Sequence, residues 1–140
     1  IRIPHHRKGW SSNGASLASK SEESGKLINI QCRKLDSLDI DNVGLIKIDV
    51  EGFEIEVLKG AKETILKNKP TMIIENEAVH VNDTNELFII MNDLGYDKYI
   101  CNPKGQLEKI NNFSVEENQK FFSQLDINYI QNFIFIPKVK

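Results

Sequence analysis

Leu45-Ile46-Lys47-Ile48-Asp49-Val50-Glu51-Gly52-Phe53-Glu54-Ile55-Glu56-Val57-Leu58-Lys59-Gly60-Ala61 reads as a buried strand that ends in carboxylates and turns directly into a helix. The strand half is apolar and largely β-branched apart from Lys47 and Asp49, and the helix half carries Val57, Leu58, Ala61 and Ile65 at helical spacing. The stretch predicts a βα unit, and in an open parallel sheet the carboxyl end of such a strand is where ligands sit. Asp49, Glu51, Glu54 and Glu56 crowd that junction. A core packed for stability alone does not need them there.

Downstream, the helix is expected to run from about Phe53 to Lys67, with glutamates in its first turn and Lys67 near its end, an order that complements the helix dipole. Gly60 in its middle costs about 1 kcal/mol relative to Ala and predicts a close approach of the helix to the sheet. After Pro70, Thr71-Met72-Ile73-Ile74-Glu75 reads as the next buried strand, again closing on acids at Glu75 and Glu77. A second helix is expected from Asp83 or Thr84 to Leu94, with Leu87, Phe88, Ile90, Met91 and Leu94 inward and Gly95 as its stop. Tyr96 to Cys101 then forms a strand, Asn102-Pro103-Lys104-Gly105 a turn, and Gln106 to Ile110 an extended piece. Ser114 and Glu117 make a capping box for a short helix through Phe121 or Phe122, and Asn132 to Pro137 closes the chain as an apolar strand.

Upstream, His5 to Lys26 is rich in Ser, Gly, Asn, Lys and His with little apolar periodicity, the composition of an exposed excursion between short strands. Ile28, Ile30 and Cys32 alternate with polar neighbours and predict a half-exposed strand over Leu27 to Arg33, before a turn or short helix at Leu35-Asp36-Ser37-Leu38. The alternation of strands and helices is that of a doubly wound α/β sheet, whose final pair, lacking a long helix between its strands, is expected to be antiparallel. Residues 1–140 are read as one domain or part of one, with 1–43 an excursion and lead-in and 44–140 a βαβαβ core with closing strands.

The formal charge of −2, from 18 basic and 20 acidic residues, provides no broad cationic field, so nucleic acid is not an expected partner. No apolar run approaches the roughly 20 residues of a membrane-spanning helix. Cys32 and Cys101 stand without metal-type spacing, which favours a reduced, cytoplasmic setting. Ile1-Arg2-Ile3-Pro4 reads like the tail of a strand, and none of the 8 glycines is separated from another by a single residue, so the nucleotide-cradling loop of cofactor-binding α/β domains is not found. Both features suggest an N-terminal truncation.

The residues Leu35-Asp36-Ser37-Leu38, Lys47 through Glu54, Val57-Leu58-Lys59-Gly60-Ala61 and Pro70 through Glu75 together resemble the FkbM-type methyltransferases, best from about Leu35 to Glu77, with Asn132 to Pro137 fitting the family's C-terminal strand. The resemblance implies an S-adenosylmethionine-dependent enzyme on a Rossmann-like class I methyltransferase sheet, of which this chain holds the C-terminal portion. It has no counterpart here to the family's glycine-containing cofactor loop, nor to the strand-end acid that binds the ribose. The fragment alone is therefore expected to be a poor catalyst.

Through the resemblance, Asp49 is placed near the methionine end of the cofactor, accepting a hydrogen bond or holding the acceptor hydroxyl; the structural alternative is an ion pair with Lys47 on the same strand face. Glu51 is a candidate cofactor ligand and Glu54 a candidate substrate ligand, although glutamates at a helix start stabilise it without any function. Glu56 reads as a solvated face. Glu75 should reach the same crevice as Asp49, and His80 is a candidate base for the acceptor's proton, or else ordinary surface. Two acids could hold a divalent cation, but no metal is expected. His6, with His5, Arg7 and Lys8, forms a basic patch suited to an acidic acceptor or merely to solubility, and Trp10 is a candidate for stacking on a sugar ring, acting as a lid or capping the core edge. The expected activity is O-methylation of a sugar or secondary-metabolite hydroxyl, a small-molecule acceptor. A non-catalytic α/β binding module and another nucleotide-using α/β transferase are the alternatives.

Overall fold

A computed structural model describes residues 2–6, 9–10, 25–120, 126 and 128–139. Three short strands come first, β1 (Arg2–His6), β2 (Gly9–Trp10) and β3 (Gly25–Leu27), in an antiparallel sheet of order β2-β1-β3. Residues 11–24, most of the predicted excursion, lie outside the described residues. The strand expected over Leu27 to Arg33 does not form. The register of β3 on β1 ends where Leu27 meets Arg2, residues 28–34 are irregular, and Ile30 is half-exposed. Alternation without a ladder to extend does not hold a strand.

The second sheet contains the predicted junction. It is built from β4 (Leu45–Ile48), β5 (Thr71–Glu75), β6 (Tyr96–Cys101), β7 (Leu107–Lys109) and β8 (Asn132–Pro137), in the order β4-β5-β8-β6-β7. β4 and β5 run parallel, with Ile48 beside Ile74, and the closing strand β8 runs antiparallel to both β5 and β6, as expected. Because β8 opposes both neighbours, β6 points the same way as β4 and β5. The carboxyl ends of β4, β5 and β6 thus share one edge with the start of β8. This is the Rossmann-like α/β layout implied by the resemblance.

The alternating apolar residues of β5 and β8 explain the core: Met72, Ile74, Phe133 and Phe135 are fully buried, together with Ile65 and Met91 from the helices. Phe88 of the helix α3 (Asn85–Asp93) meets Phe133 edge-on at 5.0 Å between ring centres, and Phe113 meets Phe133 at 4.8 Å, geometries that add to area burial. α3 buries Leu87, Phe88 and Met91 and is followed by Gly95 at φ 83, the stop that the sequence predicts.

The single helix expected from Phe53 to Lys67 is instead two, α1 (Glu54–Lys59) and α2 (Lys62–Asn68). The break has a partner. A 3-10 turn at Leu35–Leu38 sits against it, and the Asp36 backbone N–H donates to the Gly60 carbonyl at 3.0 Å. The Asp36 carboxylate accepts from the backbone N–H of Glu63 (3.2 Å) and Thr64 (2.9 Å) and from the Thr64 hydroxyl (2.8 Å). Asp36 therefore caps α2 from a distance, satisfying donors that Ala61, with no side-chain oxygen, leaves open. The close approach at Gly60 is to Lys34, 3.5 Å from where a Cβ would stand, and not to the sheet.

Candidate active site

Between β4 and α1 the chain turns through two left-handed residues, Glu51 (φ 54) and Gly52 (φ 94). Only glycine fits the second position, since a Cβ there would lie 2.6 Å from the His80 carbonyl oxygen. Glu54, 5 % exposed, folds its Oε1 back to accept from the N–H groups of Val50 and Gly52, each at 3.2 Å. The turn closes on a carboxylate supplied by its own helix start. Glu54 also borders a groove of about 390 Å³ with His80, Lys59 and Glu86.

The turn presents Asp49 beside Glu75, one strand across. Asp49 pairs with Lys47 as the period-2 reading foresaw, but in the open, with the two side chains 44 % and 52 % exposed. A hydrogen bond from Glu75, and secondly the one from Lys47, hold the Asp49 carboxyl below its ordinary range. Glu75 moves the other way. Burial first, then the bond to Asp49 and the charges of Asp49, Glu77 and Glu51, push its carboxyl up from 4.5 to about 8. At neutral pH the pair therefore holds one proton, carried on Glu75 and donated to an ionised Asp49.

His80 joins the two acidic strand ends. Its Nε2 lies 2.8 Å from Glu51 Oε2 and 3.2 Å from Glu77 Oε2, and its backbone N–H donates to the Glu77 carbonyl at 3.0 Å. Asp49, Glu51, Glu75 and His80 are thus gathered at the carboxyl edge of β4 and β5, as the sequence anticipated. Glu56 is exposed and pairs with Lys59 at 2.6 Å. His6 and Trp10 lie on β1 and β2, where His5 is in register with Trp10 and His6 with Gly9; their side chains, with Arg7 and Lys8, lie outside the described residues.

Behind the acids stands a buried polar brace. Asn76 Nδ2 donates to the Thr84 carbonyl at 2.9 Å, while Gln119 Nε2 donates to the carbonyls of Asn76 and Ile130, both at 2.8 Å, and its Oε1 accepts from the Ala78 N–H at 2.9 Å. These bonds fix the end of β5 against the approach to β8. Isolated amides carry no periodic signal, so the sequence did not single them out. Among the described residues no group of His, Cys, Asp and Glu side chains is arranged to hold a metal, and no helix is long and apolar enough to cross a membrane.

An ionised, solvent-facing Asp49 beside a proton-bearing Glu75 suits a cationic ligand together with a hydroxyl donor. No curated protein and no solved structure gives a significant match to the chain. The FkbM methyltransferase domain matches residues 3–98, a span wider than the Leu35 to Glu77 stretch that resembled it most, although it stops short of β8. That span covers more than half of the 140-residue chain and the whole acidic junction, and the chain belongs to the FkbM methyltransferase family.

Proposed function

We propose that this domain serves S-adenosylmethionine-dependent O-methylation of a small-molecule acceptor, a sugar or secondary-metabolite hydroxyl, in the reducing setting of the cytoplasm. The observation that carries the reading is the Asp49–Glu75 pair at the carboxyl edge of parallel strands. S-adenosylmethionine, when bound, supplies a methyl group on a positively charged sulfur. The protein's part in an in-line displacement is to align donor and acceptor and to provide for the hydroxyl proton.

In this reading Asp49 accepts the hydrogen bond of the acceptor hydroxyl and its charge complements the sulfonium. Glu75, bonded to Asp49, fixes that carboxylate's orientation. Glu51, on the left-handed turn after β4, faces the cofactor, and Glu54 acts on the acceptor side through the turn it holds. The proton leaves the hydroxyl through that hydrogen bond to Asp49 and is passed on to His80, with the carboxylates at 2.8 and 3.2 Å facing the cation so formed. His6 and Trp10 are assigned to the acceptor side. Replacing Asp49 with Asn in the complete enzyme is expected to cut turnover by about 100-fold or more while leaving the circular dichroism unchanged. Unchanged turnover would remove Asp49 from the mechanism.

A further inference from the structure

The edge that carries the acid pair continues past Glu75. Asn132, the first residue of β8, is the register partner of Glu75, and next to it a cleft of about 530 Å³ opens between the end of β6, the turn after it and the segment leading into β8. That volume lies within the range of ligand pockets, about 300–1,000 Å³. The segment is held from behind, because the Gln131 carbonyl accepts from the Asn76 N–H at 2.8 Å and the Ile130 carbonyl from Gln119. The side-chain amides of Gln131 and Asn132 make no hydrogen bond among the described residues, and both line the cleft.

We propose that this cleft is the acceptor subsite and that it takes an uncharged, hydroxyl-rich ring of carbohydrate type, with one hydroxyl directed at the Glu75 end. A carboxamide offers a donor and an acceptor together, the combination a hydroxyl also presents, so Gln131 and Asn132 match neighbouring hydroxyls on one ring. Ile100 and Ile130 supply apolar surface for the C–H face of that ring. Among the described residues the charges in the lining are the carboxylates Glu108 and Glu117, with no Lys, Arg or His. A phosphorylated or carboxylated ligand would meet repulsion from these carboxylates, with no cation among the described lining residues to offset it. This assignment rests on the methyl-transfer reading for the direction of the reacting hydroxyl; the binding itself does not require the cofactor.

The test is amide-resolved NMR titration of the chain, without S-adenosylmethionine, with methyl glucoside, methyl mannoside and methyl rhamnoside, and with glucose 6-phosphate as the charged control. The expected result is saturable shifts at Ile130, Gln131 and Asn132 from at least one of the neutral glycosides, with the phosphate bound at least about 10-fold more weakly. Gln131→Leu should weaken the neutral glycoside by about 10-fold or more, since a site built to hydrogen-bond a hydroxyl loses most when that partner is gone. Glu108→Lys should bring the phosphate closer to the neutral sugar. No shift at these residues from any of the three glycosides, or equal binding of the phosphate to the unaltered chain, would overturn the assignment. Glycoside binding here by a protein that transfers no methyl group would sustain this site and refute the methyl-transfer reading instead.

Discussion

Glu75→Gln isolates the shared proton. In the folded chain Glu75 keeps its proton up to about 8, whereas the unfolded chain loses it near the ordinary 4.5. Between those values the folded state binds more protons, so stability falls as pH rises through this window. Asp49 acts elsewhere: its lowered carboxyl contributes stability that is present above its ordinary 3.8 and lost as pH falls through its folded value. At about 1.36 kcal/mol for each pH unit, the rise from 4.5 to about 8 sets a ceiling of roughly 5 kcal/mol for Glu75. Glu75 is only partly buried and solvent screens the pair, which brings the expected loss to about 1–2 kcal/mol. Glutamine keeps a donor for Asp49 and does not titrate. Urea unfolding at about pH 5 and about pH 8 should show the unaltered protein losing that amount relative to Glu75→Gln. Parallel pH dependence in the two proteins would refute the shared proton.

Gly52→Ala should destabilise the fold by about 2 kcal/mol or more, because it strains a left-handed residue and drives a methyl against the His80 carbonyl; a urea midpoint within error of the parent would deny that the turn is so tight. Asp36→Ala should cost about 1–2 kcal/mol at neutral pH through loss of the α2 cap. Although desolvation opposes it, the bonds from Thr64 and Glu63 and the Lys34 charge hold the Asp36 carboxyl below 3.8, so the cost should shrink as pH falls through the folded value; a deficit constant down to strong acid would contradict the cap. Tyr96→Phe should raise stability by about 1 kcal/mol, because the buried phenol, pushed up to about 12 by burial, has no hydrogen-bond partner among the described residues. A destabilised Tyr96→Phe would show that the hydroxyl is bonded.

Local periodicity carried much of the architecture. β4, β5, α3, β6 and β8 lie where alternation and helical spacing placed them, and Ser114 Oγ accepts from the Glu117 N–H at 3.3 Å, one of the two bonds of a capping box. A π-helical turn follows at Glu116–Lys120, and the expected end at Phe121 or Phe122 lies outside the described residues. The acids of the β4 and β5 ends were legible for the same reason, since a strand followed by a helix fixes which end faces a ligand. What escaped were effects of residues distant in sequence. The helix breaks at Gly60 because Asp36 caps the second half from 27 and 28 positions away, and the brace of Asn76 and Gln119 spans 43 positions. The placement of β8 between β5 and β6 is likewise a property of the sheet, invisible to any window along the chain. The bond of the Glu54 carboxylate to the turn before it is also a fold-back that spacing alone does not reveal.

The most direct test of the central claim is calorimetric titration of S-adenosylmethionine into the full translation product of the gene that encodes this chain, unaltered and as Asp49→Ala. The acid pair at the β4 edge predicts saturable binding that Asp49→Ala weakens by about 10-fold or more, the loss of a charge-assisted contact. Absence of binding, or equal binding by both proteins, would contradict it.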